Sequence, residues 1–203
     1  NNVHIIKTSM NEVDFTGAII TNSFFNGVDL SFSKFNNNIL QNVEFVKSNL
    51  SSIEFKNTKI DSSLFNMCTL DSLKFNTATQ ITRSKFDKSS LVEGQIIDTT
   101  IDNTFFYGTD FSQTNWNHAI LTNSFVESCD LWKANFSGVT IYKSTLSRNT
   151  MNYAKINEGN FLNSDFTQTY LLLSEFNNTK IDNCKFDPAI TKVENSANNT
   201  IDD

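Results

Sequence analysis

A chain of 203 residues is long enough for one domain with a filled core, or for two small ones. Hydrophobic residues make up 38% and charged residues 19%, yet Phe alone contributes 19 residues, an aromatic load that excludes a disordered chain. The formal net charge of −6 argues against simple phosphate-backbone binding. No apolar run approaches the roughly 20 residues of a membrane-spanning helix.

After a short lead, Asn1–His4, large apolar residues fall on every fifth position. Ile5 and Met10 open the series, which runs from Phe15 through Ile20, Phe25, Leu30, Phe35 and Leu40 to Phe75. One six-residue step leads to Ile81, and the period of five then resumes through Phe86, Leu91, Ile96 and Ile101 to Phe186. Counting from Ile5 there are 37 such centres. A second, smaller stripe sits two residues before each centre, as at Ala18, Ser23, Ser33, Ser84, Thr104 and Ala119. Past Phe186, Asp187-Pro188 breaks the pattern, and Ala189–Asp203 is polar and Asn-rich.

A period of five is neither the 3.6 of a helix nor the 2.0 of a strand. Small and large residues two apart point to the same side of one short extended segment. The remaining three-residue step has to turn a corner. Gly17, Gly27, Gly108 and Gly138 each lie two after a centre, where a turn residue belongs. Each unit is then one side of a coiling polygon. Between Phe15 and Phe75, Phe alternates with Leu or Ile, so a four-sided coil stacks Phe on Phe along two opposite sides. A three-sided coil would put Phe on Leu at every level. The extra residue within Asn76–Gln80 reads as a local bulge, because the repeat keeps its phase beyond it.

Val28-Asp29-Leu30, Ser48-Asn49-Leu50, Cys129-Asp130-Leu131, Ala134-Asn135-Phe136 and Ser164-Asp165-Phe166 carry a recognisable unit. The chain resembles the pentapeptide-repeat family, whose consensus is Ala-(Asp/Asn)-Leu-x-x, over nearly its whole length. The resemblance implies an all-β fold, a right-handed quadrilateral β-helix. Four centres to a coil make about nine coils, a rod of roughly 43 Å at ~4.8 Å per coil. The expected organisation is a lead over residues 1–4, the β-helix over residues 5–186, and a C-terminal cap near Pro188 with a frayed tail over residues 187–203. No signal peptide is evident, and a cytoplasmic, bacterial setting is expected, with a secreted effector or a segment of a larger protein left open.

Little in the sequence suggests catalysis. Cys68, Cys129 and Cys184 all take the small inward slot, and Cys68 and Cys129 stand three coils apart, roughly 14 Å, too far for a disulfide. They read as core filler. His4 and His118 are far apart and lack neighbours at metal-ligand spacing. There is no glycine-rich phosphate loop and no base beside a nucleophile. No catalytic residue, cofactor or metal is expected.

Two surface features remain. Between Lys88 and Lys133 there is no Lys or Arg, while Glu93, Asp98, Asp102, Asp110, Glu127 and Asp130 lie in that stretch. Six acids against no bases equals the net charge of the whole chain. Asp110 and Asp130, four units apart, should stack on one side. The family's outward Asp/Asn ladder accounts for that pair without a function, yet an acidic band attracts basic partners. Apolar residues also occupy outward slots: Phe105, Tyr107 and Phe125 on one side, and Trp132, Tyr153, Tyr170, Leu172 and Leu173 on the next. Such a cluster suggests an interface, with a homodimer among the candidates.

The first functional reading is therefore a non-catalytic protein-interaction module or scaffold. The second comes from the resemblance. Some pentapeptide-repeat proteins imitate duplex DNA, bind DNA gyrase or topoisomerase IV and protect it from quinolones. The acidic band fits that reading. The near-neutral remainder and the absence of larger projecting loops do not. Direct nucleic-acid or membrane binding is not expected under either.

Overall fold

The computed structural model describes residues 1–76 and 78–187, and beyond them the backbone of Val193–Ala197 and Thr200–Asp202. Among these residues there is no helix. Short strands, most of them three residues long, pair in parallel with the strand one coil later. The register is four units of the repeat, as in Ile20 with Leu40, Phe25 with Phe45 and Ile101 with Leu121. Four units to a coil make four sides, as the Phe–Leu alternation requires. We number them by their inward columns: face 1 holds Phe25, Phe45, Phe65 and Phe86; face 2 holds Leu30, Leu50, Leu70 and Leu91. Face 3 holds Phe15, Phe35, Phe55 and Phe75; face 4 holds Ile20, Leu40, Ile60 and Ile81.

The interior is solid. Trp116 and eleven Phe side chains are fully buried. On face 1, ring centroids lie 4.8 Å apart for Phe25–Phe45, 5.1 Å for Phe45–Phe65 and 4.5 Å for Phe65–Phe86. Face 3 opens with Phe15–Phe35 at 4.6 Å and continues with Trp116 stacked on Phe136 at 5.4 Å. Each such side chain contributes roughly 1.5–3 kcal/mol by burial, set against the entropy of ordering it.

The small inward stripe has a second task. On faces 1 and 2 the backbone N–H at most of these positions meets the side chain one coil on, whereas on faces 3 and 4 many bond the carbonyl three residues back, as Ala119 N–H does to Trp116 O at 2.9 Å. On face 1 the chain of bonds runs from Val43 N–H to Ser63 Oγ, from Ser63 N–H to Ser84 Oγ and from Ser84 N–H to Thr104 Oγ1. It continues through Ser124, Ser144 and Ser164 at 3.1–3.2 Å. Several of these hydroxyls also donate to a carbonyl two residues back, as Ser84 Oγ does to Thr82 O at 2.8 Å. Ser and Thr therefore fill a narrow slot and satisfy a buried donor at once.

Every corner among the described residues adopts positive φ. Gly17, Gly27, Gly108 and Gly138 do so as the sequence predicts, at 78°, 64°, 57° and 67°. Thirty-three other residues do so as well, ten of them Asn. The left-handed region is uncomfortable for a residue with a Cβ, less so for Asn, whose amide bonds locally. Several corner Asn residues form amide ladders between coils, such as Asn42 Nδ2 to Asn22 Oδ1 and Asn183 Nδ2 to Asn163 Oδ1, both 2.7 Å.

The extra residue lies between Asn76 and Gln80. Lys56 pairs with Asn76 in the ordinary four-unit register, whereas Lys59 pairs with Gln80, one residue further on. The cap expected at Pro188 lies outside the described residues. Within the segment expected to fray, Val193–Ala197 pairs with Ser174–Asn177 and Thr200–Asp202 with Lys180–Asp182. Parallel pairing thus extends past Phe186. Cys68 and Cys129 are buried and Cys184 half-buried, all as free thiols. Burial pushes the Cys68 thiol up to about 11 and the Cys129 thiol up to about 12.

Candidate functional site

With a filled interior, only the outside can act. Each face presents two outward columns, one before and one after the centre, and a corner column. The acidic residues do not gather on one of them. Glu127 is on face 1, Asp110 and Asp130 on face 2, and Asp102 on face 4, while Glu93 and Asp98 occupy two different corners. The expected band is a ring around the rod, not a surface. The base-free stretch wraps the rod about twice, so its acids fall on three faces and two corners.

Nor does a base-free stretch of chain make a base-free surface, because its spatial neighbours belong to the coils above and below. Arg148 reaches Glu127 at 2.8 Å. Hydrogen bonds from Asn123 and then Thr122 hold the Asp102 carboxyl below its ordinary value, with a smaller pull from Arg83. Asp110 and Asp130 do pair one coil apart on face 2, as their spacing predicts. Each carboxylate accepts the N–H two residues on, Asp110 from Ser112 at 2.9 Å and Asp130 from Trp132 at 3.0 Å. Asp29, Asn49, Asn115, Asn135 and Asp165 make the same bond. On faces 1, 2 and 3 alike, the position before the centre can thus close the corner turn, a structural task that explains Asp or Asn there.

The apolar residues fall into two groups. Phe105 and Phe125 pair on face 1, their ring centroids 6.1 Å apart, with Tyr107 6.1 Å from Phe105. Lys85 Nζ lies 5.6 Å from the Phe105 ring. Sequence reasoning missed the rest of this column. Pairing runs unbroken from His4 through Phe24, Glu44, Leu64 and Lys85 to Phe105 and Phe125. Ile6 and Val46 stand in the column beside it, and Met67 at its corner. Ile6 is 56% exposed and Met67 51%. The signal was in the sequence: Phe24, Leu64 and Phe105 each precede a centre by one, but Glu44 and Lys85 interrupt the column and no single stretch of chain looks apolar.

The second group is compact. Tyr170 and Leu172 lie outward on face 2 of one coil, with Leu173 at its corner. Tyr153 takes the corner one coil earlier, and Trp132 faces outward one coil before that. Tyr170 is 56% exposed, and Tyr153 and Leu172 45% each. Trp132 and Leu173 are half-buried. Lys133 Nζ rests 4.2 Å from the Trp132 ring centre, a cation–π contact. A groove of about 450 Å³ lined by Gln113, Lys133, Tyr153, Lys155, Leu173 and Glu175 follows the corner between faces 2 and 3. The structure thus keeps Trp132, Tyr153, Tyr170, Leu172 and Leu173 together and sets Phe105, Tyr107 and Phe125 on the adjoining face.

Comparison with known proteins bears on the fold. The cyanobacterial protein HetL, a pentapeptide repeat protein involved in heterocyst differentiation regulation in Nostoc sp. strain PCC 7120, superposes with a TM-score of 0.65 at 13% identity, covering 94% of this chain and 92% of that one. Full-length QnrB1, a plasmid-mediated fluoroquinolone resistance protein, aligns over 93% of each chain at 16% identity with a TM-score of 0.36. No curated protein sequence matches the chain. Family models for a pentapeptide repeat region and for pentapeptide repeats match residues 18–96 and 102–138. Together with the four-unit parallel register and the four stacked columns, they show that the chain belongs to the pentapeptide-repeat family.

Proposed function

We propose that this chain is a non-catalytic binding rod that engages protein through the outward apolar side chains of faces 1 and 2. The observation that carries the reading is their unequal placing. Among the described residues, none of the large exposed hydrophobics lies on face 3 between its two corners, which carries instead a ladder of alternating charge from Asp14 through Lys34 and Glu54 to Lys74. Among the described residues, face 4 exposes only Ile19 and Ile39 near one end and Ile120 four coils further on. Single exposed apolar residues are ordinary on any protein. A contiguous patch beside a polar face marks a contact surface. The stacked interior has no room for a substrate, and the grooves between coils are shallow, which favours binding over chemistry.

The reading as an imitation of DNA directed at gyrase or topoisomerase IV draws less support. Its acids are spread over three faces and two corners, Glu127 is paired with Arg148, and Asp110 and Asp130 are engaged in closing corners.

The test is to immobilise the rod and compare the proteins retained from a native extract. Phe125→Asp with Tyr170→Asp and Leu172→Asp should lose the set held by the parent, while Asn117→Asp with Asn157→Asp on face 3 should keep it. Retention that ignores the first set of changes, or fails equally with the second, contradicts the reading.

A further inference from the structure

The groove at the corner between faces 2 and 3 has the features of a selective site. Its upper rungs place Tyr153 and Leu173 in corners with φ of 60° and 58°, where Gly or Asn fits with less strain. Between Phe32 and Lys133 the same corner column is polar: Ser52, Ser72, Glu93 and Gln113. Tyr153 is thus held in a strained corner and left 45% exposed, with Leu173 half-buried in the corner one coil on. Lys133 stands one coil below Tyr153, and Lys155 lies beside it on face 3. Glu175, the cross-coil neighbour of Lys155, is the one carboxylate in the lining. Asp130, on face 2 of the Lys133 coil, is bonded to the Trp132 N–H. The groove therefore carries two amines against one acid in a chain of net charge −6.

Size decides between occupants. From Gln113 to Leu173 the groove spans three coil steps, about 14 Å, room for about four residues of extended chain. A strip that short falls well below the roughly 800 Å² per partner of a stable protein complex, so it suits a peptide segment better than a second copy of the rod. Strand addition is not available along a face, because the coil's N–H and C=O groups already run to the coils above and below. Recognition has to come from side chains.

We propose that this groove binds a short extended peptide carrying one aromatic or branched aliphatic residue flanked by carboxylates. The inference rests on the reading of the chain as a protein-binding rod. The apolar residue packs between Tyr153 and Leu173, and the carboxylates meet Lys133 and Lys155. The amines then select against basic peptides, and the apolar pair selects against wholly polar ones.

The test is selection of a random octapeptide library, displayed on phage, against the folded rod. Sequences enriched on the parent should join an apolar residue to Asp or Glu, and Lys133→Glu with Lys155→Glu should turn the selection toward Lys and Arg. Trp132 gives a second readout, since the other tryptophan, Trp116, is buried and serves as a constant background. A synthetic winner should shift the emission of the parent and leave that of Tyr153→Ser with Leu173→Ser unchanged. Enriched peptides with no acidic excess overturn the proposed chemistry and leave the binding rod standing. No enrichment beyond that on Tyr153→Ser with Leu173→Ser overturns the groove as a peptide site, and the extract experiment then decides the wider reading independently. A dimer at working concentration that Tyr153→Ser breaks would assign the groove to a second copy, also against the proposal.

Discussion

Truncating Phe65 to Ala in the middle of face 1 tests the stacked column directly. The Phe65 ring is fully buried, 5.1 Å from that of Phe45 and 4.5 Å from that of Phe86. Removing a buried Phe costs about 3–5 kcal/mol, and two lost ring stacks at about 0.5–1.5 kcal/mol each place this site at the upper end. Coils on both sides stack on this one, so the cavity cannot be relieved by letting an end fray. Phe15→Ala is the internal control. It sits only partly buried near the end of the same kind of column and stacks on Phe35 alone, so it should cost about half as much. Urea unfolding followed by far-UV circular dichroism reads both. Phe65→Leu should recover most of the loss, because it restores volume without the ring. A Phe65→Ala cost below about 1.5 kcal/mol, or one equal to that of Phe15→Ala, would refute the stacked-core reasoning.

Other outcomes follow from corners, thiols and carboxylates. Gly138→Ala should destabilise more than Gly17→Ala. Both have positive φ, but a Cβ at Gly138 meets the His118 ring, whereas that of Gly17 points into open space. Adding His118→Ala to Gly138→Ala should bring the two costs together, near the roughly 1–2 kcal/mol of a left-handed residue with a Cβ. A disulfide reagent at about pH 8 should leave Cys68 and Cys129 unmodified in the folded rod and reach them only in urea, since burial raises both thiols. Asp29 is held below the ordinary 3.8 by hydrogen bonding to Ser31, and Asp102 likewise by Asn123 and Thr122. Their stabilisation is complete above that ordinary value and is lost as pH falls through the lower folded values. The urea midpoint should therefore fall only at acid pH, and Asp102→Asn should flatten part of that fall.

Much of the architecture was legible because the repeat writes it out 37 times. The alternation of Phe with Leu and Ile fixed the number of sides, and one six-residue step located the bulge. Less legible was which outward residues meet. Glu93, Asp98 and Asp102 lie close along the chain and point in three directions, while Phe24 and Leu64 lie two coils apart and share one column. Charge and apolarity on a solenoid have to be read at intervals of a whole coil, and windows along the chain mix the faces. The corners were also only partly legible. Gly announced four of them, but the coil imposes the same φ on Lys47, Phe32 and Leu173, and the stacked interior holds them there. The purpose of Asp110 and Asp130 was visible only once their carboxylates were seen to accept the Ser112 and Trp132 N–H groups.

The proposed function requires that the apolar faces bind and the polar face does not. It is tested most directly by replacing Tyr170, and separately Asn117, with a photo-crosslinking phenylalanine and illuminating the protein in its own cells. A defined protein adduct should form from position 170 on face 2 and none from position 117 on face 3. Adducts of equal yield and pattern from both positions, or from 117 alone, would contradict it.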